Sequence, residues 1–242
     1  MANQTKIHGT ALVAGGGSGI GRGCALKLAS MGYKVMLLGR TAAKLDATAA
    51  EITQAGGQAE TFVADVRDWD RLVELGARLE EPGLDVLINS AGGQKPGPAA
   101  EFSREDWQKV IDLNLNGSFF LLRHLRKALA KKQGSAVTVV AAMWNRPAPF
   151  VAHSGAARAG IVNLTRTLAL EWGGDRIRIN AVAPGLVNTA ALRPQYRAMV
   201  DRVPLGRIGE VDEIADAILF MAHNKYITGE VLTIDGGLIL NV

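Results

Sequence analysis

An α/β protein built on a parallel sheet is predicted by three observations. Short apolar runs alternate with longer amphipathic stretches nearly to the end of the chain, the rhythm of repeated βα units. The first apolar run ends in a glycine-dense turn that opens directly onto helical spacing. The chain has 242 residues and shows neither an internal repeat nor a linker, so residues 1–242 read as one domain with a substantial core.

Taken in order, Thr10–Ala14 is the first strand and Gly19–Met31 the first helix. Lys34–Gly39 is the second strand, followed by a helix across Ala42–Ala55. Gln58–Ala64 is a third strand, and Asp68–Leu79 a helix with Asp68 as N-cap. Leu84–Ile88 is the fourth strand, ending in Asn89-Ser-Ala-Gly-Gly93. Pro96, Gly97 and Pro98 forbid regular structure in the loop Gln94–Glu101, and Ser103–Lys132 is one long or broken helical segment. The second half continues with a strand at Ala136–Ala141, a helix at Ser154–Trp172 and a strand at Ile177–Val182. Glu210–Ala222 is a helix and Val231–Ile234 a last short strand. Pro184–Gly209 is the longest connection, and its residues 186–209 sit at a strand's carboxyl end, where a substrate lid belongs.

Hydrophobic content of 48% and charged content of 21% are ordinary for a globular protein. The net charge of +4 is spread along the chain with no run of five like charges, which argues against a nucleic-acid partner. No apolar stretch is long enough to span a membrane, and Met1-Ala-Asn-Gln-Thr-Lys lacks a signal peptide's apolar segment. The single cysteine, Cys24, forms no internal disulfide and reads as a small packed residue; no Cys/His cluster suggests a metal. A cytoplasmic setting is expected.

The glycine turn is the chemical starting point. In Ala11-Leu-Val-Ala-Gly-Gly-Gly-Ser-Gly-Ile-Gly-Arg22, Gly15, Gly19 and Gly21 follow at intervals of four and two, so the commoner G-x-G-x-x-G is not matched literally. Strand, turn and helix still make a phosphate-binding corner, with Gly17, Ser18 and Ile20 beside those glycines. A side chain would break the turn, block a pyrophosphate or wedge helix from strand.

Gly15-x-x-x-Gly19-Ile-Gly21, Asp65-Val66, Asn89-Ser-Ala-Gly92, Asn114, Pro184-Gly185, Ile227-Thr-Gly229 and Asp235-Gly-Gly237 together resemble the short-chain dehydrogenase/reductase family over nearly the whole chain. The resemblance implies a Rossmann-type, doubly wound sheet of seven parallel strands, a nicotinamide cofactor, and a homotetramer or homodimer with C-terminal segments at an interface. It also implies that Asp65 contacts adenine, that Asn89 supports the cofactor with Val66, Ala91 and Gly92, and that Val187 and Thr189, after Pro184 and Gly185, meet the nicotinamide amide. An NAD-type site needs a carboxylate after the second strand. Here Gly39 and Arg40 stand there, so NADP(H) is favoured, with Arg22 and Lys44 as further positive charge; Arg40 can also be a solvated strand-end residue.

The family's tyrosine and lysine are absent. Ser154 stands at the tyrosine position, Arg158 at the lysine position, and Ala141 and Ala142 where the serine belongs; of that tetrad only Asn114 remains. A serine hydroxyl is far less acidic than a phenol near pKa ~10, and arginine does not relay a proton at neutral pH. His153-Ser-Gly-Ala-Ala-Arg-Ala-Gly160 with the helix after it resembles the peroxisomal-type trans-2-enoyl-CoA reductases, and is similar to the mitochondrial-type 2,4-dienoyl-CoA reductases. Both branches imply NADPH, a C=C bond conjugated to a thioester, and enolate stabilisation by hydrogen-bond donors. Ser154, Arg158 and a backbone-held or Asn114-held water are the candidates.

The tyrosines of those branches fall on Val162 and near Met143 here. Tyr33 and Tyr226 read as structural, leaving Tyr196 in the lid either to close over substrate as the missing phenol or to pack the lid or an interface. His153 is a second proton candidate or a helix-start hydrogen-bonding residue. Trp144, Asn145 and Arg146, with Gln94 and Lys95, are expected to rim the substrate crevice; Arg146 and Lys95 meet a phosphate-bearing acyl-CoA ester or remain solvated. Three functions stay open: an enoyl-CoA-like reductase, a carbonyl or imine reductase with a relocated acid, and an inactive NADP-binding sensor or assembly subunit. Ile239-Leu-Asn-Val242 carries no peroxisomal tripeptide.

Overall fold

A computed structural model describes residues 9–240; the N-terminal segment read above and the final Asn241-Val242 lie outside them. The strands are β1 (Thr10–Ala14), β2 (Lys34–Gly39), β3 (Gln58–Val63), β4 (Val86–Asn89), β5 (Ser135–Val139), β6 (Arg178–Pro184) and β7 (Val231–Ile234). They form one seven-stranded sheet in the order β3-β2-β1-β4-β5-β6-β7. Every pairing is parallel. The order reverses between β1 and β4, where Ala14 lies opposite both Leu38 and Asn89. In an open parallel sheet that reversal leaves a crevice at the strands' carboxyl ends.

The helices are α1 (Gly19–Ser30), α2 (Ala42–Gln54), α3 (Trp69–Glu80), α4 (Arg104–Ile111), α5 (Gly117–Lys132), α6 (Ala152–Trp172), α7 (Pro194–Arg197) and α8 (Val211–His223). Side-chain alternation along the strands splits the core into two layers. Leu12, Ala14, Met36 and Leu38 pack with Leu72, Leu79, Leu125 and Leu168 of α3, α5 and α6. Ala11, Val13, Val35 and Leu37 pack on the other face with Leu28, Leu45 and Ile218 of α1, α2 and α8. Cys24 is buried there, as expected. No helix among the described residues is long and apolar enough to cross a membrane.

Helix starts follow their caps. The Asp68 side chain accepts from the Arg71 amide at 3.1 Å, and Ser103 from the Asp106 amide at 3.0 Å. Glu210 and Glu213 form a reciprocal capping box at the start of α8.

Several expected bounds shift, for local reasons. The segment Ser103–Lys132 is broken: a π turn over Asp112–Asn116 separates α4 from α5. The loop before it holds a single 3-10 turn at Ala99–Glu101, beginning directly after Pro98. The fifth strand ends at Val139 rather than Ala141, because Ala141 accepts from Trp144 and starts a 3-10 turn over Ala142–Asn145. Pro184 belongs to β6, and the long excursion after it is not wholly irregular. It holds α7 and a 3-10 turn at Val200–Arg202, and its base is closed by the bridge of Val187 with Gly209.

Candidate functional site

A cleft of about 790 Å³ opens at the β1/β4 reversal. Its floor is the turn between β1 and α1, where two glycines are obligatory. Gly15 has φ +78°, and a Cβ on it would sit 2.8 Å from the Ser90 carbonyl. A Cβ on Gly21 would lie 2.3 Å from the Gly15 carbonyl oxygen, so Gly21 lets α1 approach the turn without itself facing the cleft. Gly15, Gly17, Ser18, Gly19 and Ile20 line the floor.

The residues present suit a dinucleotide. The N-terminus of α1 carries no acidic residue in its first turn, and the Ser18 side chain makes no capping hydrogen bond. Its positive dipole end and its hydroxyl are therefore both available to a phosphate. Arg40, just past β2, and Lys44 line the same end. Arg22 does not join them; it is paired with Glu51. Asp65 and Val66 line the wall beside Arg40, with Asp65 held at 2.7 Å by Arg67 and 3.8 Å from Arg40. The Arg67 hydrogen bonds keep the Asp65 carboxyl below the usual carboxylate range.

Opposite, Ala91 and Gly92 line the cleft, while Asn89 lies behind them. The Asn89 amide donates to Ser118 Oγ at 2.9 Å, and its carbonyl accepts from the Ala91 amide at 3.2 Å. Asn114 also lies behind the wall. Its Nδ2 donates to the Gly93 and Val110 carbonyls, each at 2.8 Å, and its Oδ1 accepts from the Gly93 amide at 3.2 Å. Both amide hydrogens are thus spent on the backbone, so Asn114 fixes the loop, and the second lone pair of Oδ1 is what remains to hold a water. Asn114 lies within the π turn Asp112–Asn116.

At the far end, Val139 to Ala142, Arg158, Pro184, Gly185, Val187, Thr189 and Tyr196 line the cleft. Arg158 Nε donates to Ser154 Oγ at 3.2 Å, one helical turn apart on α6. Ser154 itself is buried and reaches the cleft through Arg158. No carboxylate pairs with Arg158 among the described residues, and desolvation alone pushes its guanidinium down to about 10. An unpaired cation in a cleft attracts an anion or an oxygen that becomes one.

His153 is not in the cleft. It is fully buried, accepts from the Ser154 amide, donates Nε2–H to the Lys95 carbonyl at 3.0 Å and stacks on Phe102. It therefore serves the helix start and offers no proton to the cleft. The Tyr196 hydroxyl accepts from Gln94 Nε2 at 3.4 Å, bridging the lid to the loop after β4. Tyr33 is buried against His223, as its structural role requires, whereas Tyr226 is 99% exposed among the described residues.

Trp144, Asn145 and Arg146 do not reach the cleft; the 3-10 turn carries Trp144 away against Val140, Ile161 and Arg166. The cleft instead takes in Leu113, Arg193 and Leu238. Leu238 follows Asp235-Gly-Gly237 directly, and Arg193 sits in the lid, but neither carried a sequence signal that aimed it inward.

The family model described as "Enoyl-(Acyl carrier protein) reductase" matches residues 14–239. With this sheet and crevice, the chain belongs to the short-chain dehydrogenase/reductase family of oxidoreductases, whose members bind nicotinamide cofactors and small-molecule substrates. It is 38% identical to a Bacillus subtilis protein named as a probable 2,4-dienoyl-CoA reductase, over 95% of this chain and 96% of that one. It is 33% identical to a 3-oxoacyl-(acyl-carrier-protein) reductase of Thermotoga maritima, over 95% and 97% respectively. Among solved structures, a citronellol catabolism dehydrogenase of Pseudomonas aeruginosa superposes with a TM-score of 0.86 at 40% identity, covering 95% of this chain and 94% of that one.

Proposed function

We propose that the whole chain is one NADPH-binding unit that reduces a carbon–carbon double bond conjugated to a thioester, with an enoyl-CoA-like substrate. One observation carries this: a hydrogen-bonded Ser154–Arg158 pair, with an uncompensated positive charge, occupies the place of a phenol and an amine. When bound, the dihydronicotinamide supplies a hydride to the substrate's β-carbon.

The protein's part is electrostatic. As hydride arrives, negative charge gathers on the thioester oxygen, and Arg158, already desolvated, meets it without reorganisation. Ser154 holds the guanidinium in place; Arg158 also has donors to spare for the nicotinamide ribose. The α-carbon takes its proton from Tyr196 at the lid or from water admitted past it. Residues 186–209 act as the lid, with Val187 and Thr189 at the nicotinamide, Asp65 at the adenine, and Asn114 and Asn89 positioning the opposite wall. Arg40 and Lys44, with no acid at Gly39, favour the 2′-phosphate of NADP over the bare ribose of NAD.

The relative named for 2,4-dienoyl-CoA reduction supports the substrate class. Exposed Leu170 and Phe220 and the half-buried edge strand β7 support a homodimer or homotetramer. The buried free thiol of Cys24 suits a reducing cytoplasm.

The test is NADPH oxidation with crotonyl-CoA, a panel of ketones, and no substrate, alongside NADPH binding by fluorescence. Oxidation with crotonyl-CoA is expected. Turnover of ketones alone would transfer the chain to the carbonyl reductases. Binding with no turnover of any panel member would favour a cofactor sensor, which alanine at position 141 and serine rather than tyrosine at position 154 also suit.

A further inference from the structure

A second, smaller cleft of about 410 Å³ opens beside the first and shares Arg40, Gly92, Gly93, Gln94 and Leu113 with it. Four of its nine lining residues are cationic, Arg40, Arg67, Lys95 and Lys109, and none is acidic. Arg67, Lys95 and Lys109 line this side cleft and not the main one.

Two carboxylates outside the lining, Asp65 and Asp106, pair with two of its cations, Arg67 and Lys95. Both oxygens of Asp65 accept from Arg67, at 2.9 and 2.7 Å. Both oxygens of Asp106 accept from Lys95 Nζ, at 2.9 and 2.8 Å. Asp112 accepts from the Gln108 and Asn116 amides, each at 2.7 Å. Lys109 has no ion-pair or hydrogen-bond partner among the described residues, and the nearest carboxylate to Arg40 is Asp65 at 3.8 Å.

The side cleft is joined to the reacting end through one loop. The Lys95 carbonyl accepts from His153, the residue before Ser154, and Gln94 reaches Tyr196 on the lid. The loop Gly92–Lys95 thus runs from the lining of the main cleft to the cations of the side cleft.

We propose that the side cleft binds the phosphate groups of the substrate's carrier arm, a coenzyme A type handle, while the thioester lies at Arg158. This rests on the thioester substrate of the preceding section. Phosphate oxygens would take charge-assisted hydrogen bonds from Lys109, the cation without a carboxylate partner, and from the remaining donors of Lys95 and Arg67, which a ketone or a short thioester cannot use. The cofactor's own phosphates have the α1 N-terminus, Arg40 and Lys44 in the main cleft.

The test is calorimetric titration of the NADPH-saturated protein with coenzyme A and with pantetheine, which lacks the phosphates. Coenzyme A is expected to bind at least roughly tenfold more tightly, with the advantage shrinking as salt rises. Lys95→Gln/Lys109→Gln is expected to remove roughly tenfold of that affinity and to leave pantetheine and NADPH binding unchanged. Equal binding of the two probes, or an unaffected double variant, would overturn the proposal. So would displacement of NADPH by coenzyme A, because the cations would then serve the cofactor. Reduction of crotonyl-pantetheine is measured in parallel: its absence counts against the enoyl reductase itself, whereas turnover with no phosphate advantage counts against the side cleft alone.

Discussion

The two ends of the main cleft differ in kind. At the β1/α1 end every part that a phosphate needs is in place: two obligatory glycines, a helix start free of acids, an unspent serine and two cations. At the β5/α6 end the wall is alanine at Ala141 and Ala142, and the charged group that α6 supplies is Arg158. The first end is specialised for binding, and its residues are constrained by backbone contact. The second is constrained by electrostatics, since a desolvated guanidinium tied to Ser154 can stabilise charge but cannot shuttle protons at neutral pH. Sites of the two kinds should respond to substitution in different ways.

The largest expected effect is at the binding end. Gly21→Ala places a carbon 2.3 Å from the Gly15 carbonyl, so it should destabilise the fold by about 3 kcal/mol and abolish NADPH binding together. A thermal melt and a fluorescence titration read the two effects, and a variant that melts normally and binds NADPH would break the distinction.

At the reacting end the two properties should separate. Arg158→Met is expected to lower kcat by about 10²-fold, yet to raise stability by about 1 kcal/mol by removing an uncompensated, half-buried charge. Burial holds the folded Arg158 near 10, below its unfolded value, so the penalty is present at neutral pH and relieved as pH rises through about 10. Urea unfolding should therefore show the variant's advantage narrowing above that pH.

Arg40→Ser should weaken NADPH by roughly 10- to 100-fold, with NADH nearly unchanged. Equal losses for both cofactors would detach Arg40 from the 2′-phosphate. Tyr196→Phe is expected to cost less than about tenfold in kcat at neutral pH and to alter the pH profile; an unchanged profile would assign the α-proton to water. The smallest effect concerns Cys24, whose thiol burial pushes up to about 12. It should resist a thiol reagent at pH 8 until denaturant is added.

Much of the fold was legible because a parallel sheet needs apolar runs and its crossovers need amphipathic stretches. The boundaries that moved did so through partners distant in sequence. Ala141 left its strand to accept from Trp144, and the helical segment after Ser103 broke where Asn114 turned to Gly93 across 21 positions. At the site, the lining role of Gly15 to Ile20 could be read from a local turn. That Asn114 and His153 are committed to backbone groups could not, since both partners come from the loop after β4. The same holds for Arg22, whose pairing with Glu51 depends on how α1 lies against α2. Nor could the sequence bring Arg67 and Lys109 to one side cleft, because they sit on separate crossovers.

The central claim is that hydride goes to a carbon–carbon double bond, and one labelling measurement tests it directly. The protein is incubated with crotonyl-CoA, a panel of ketones and NADPH deuterated at both C4 positions, and the products are examined by mass spectrometry and NMR. Deuterium on the β-carbon of a butyryl thioester is the expected result. Deuterium on a carbinol carbon from a ketone substrate, with none in the acyl chain, would contradict it.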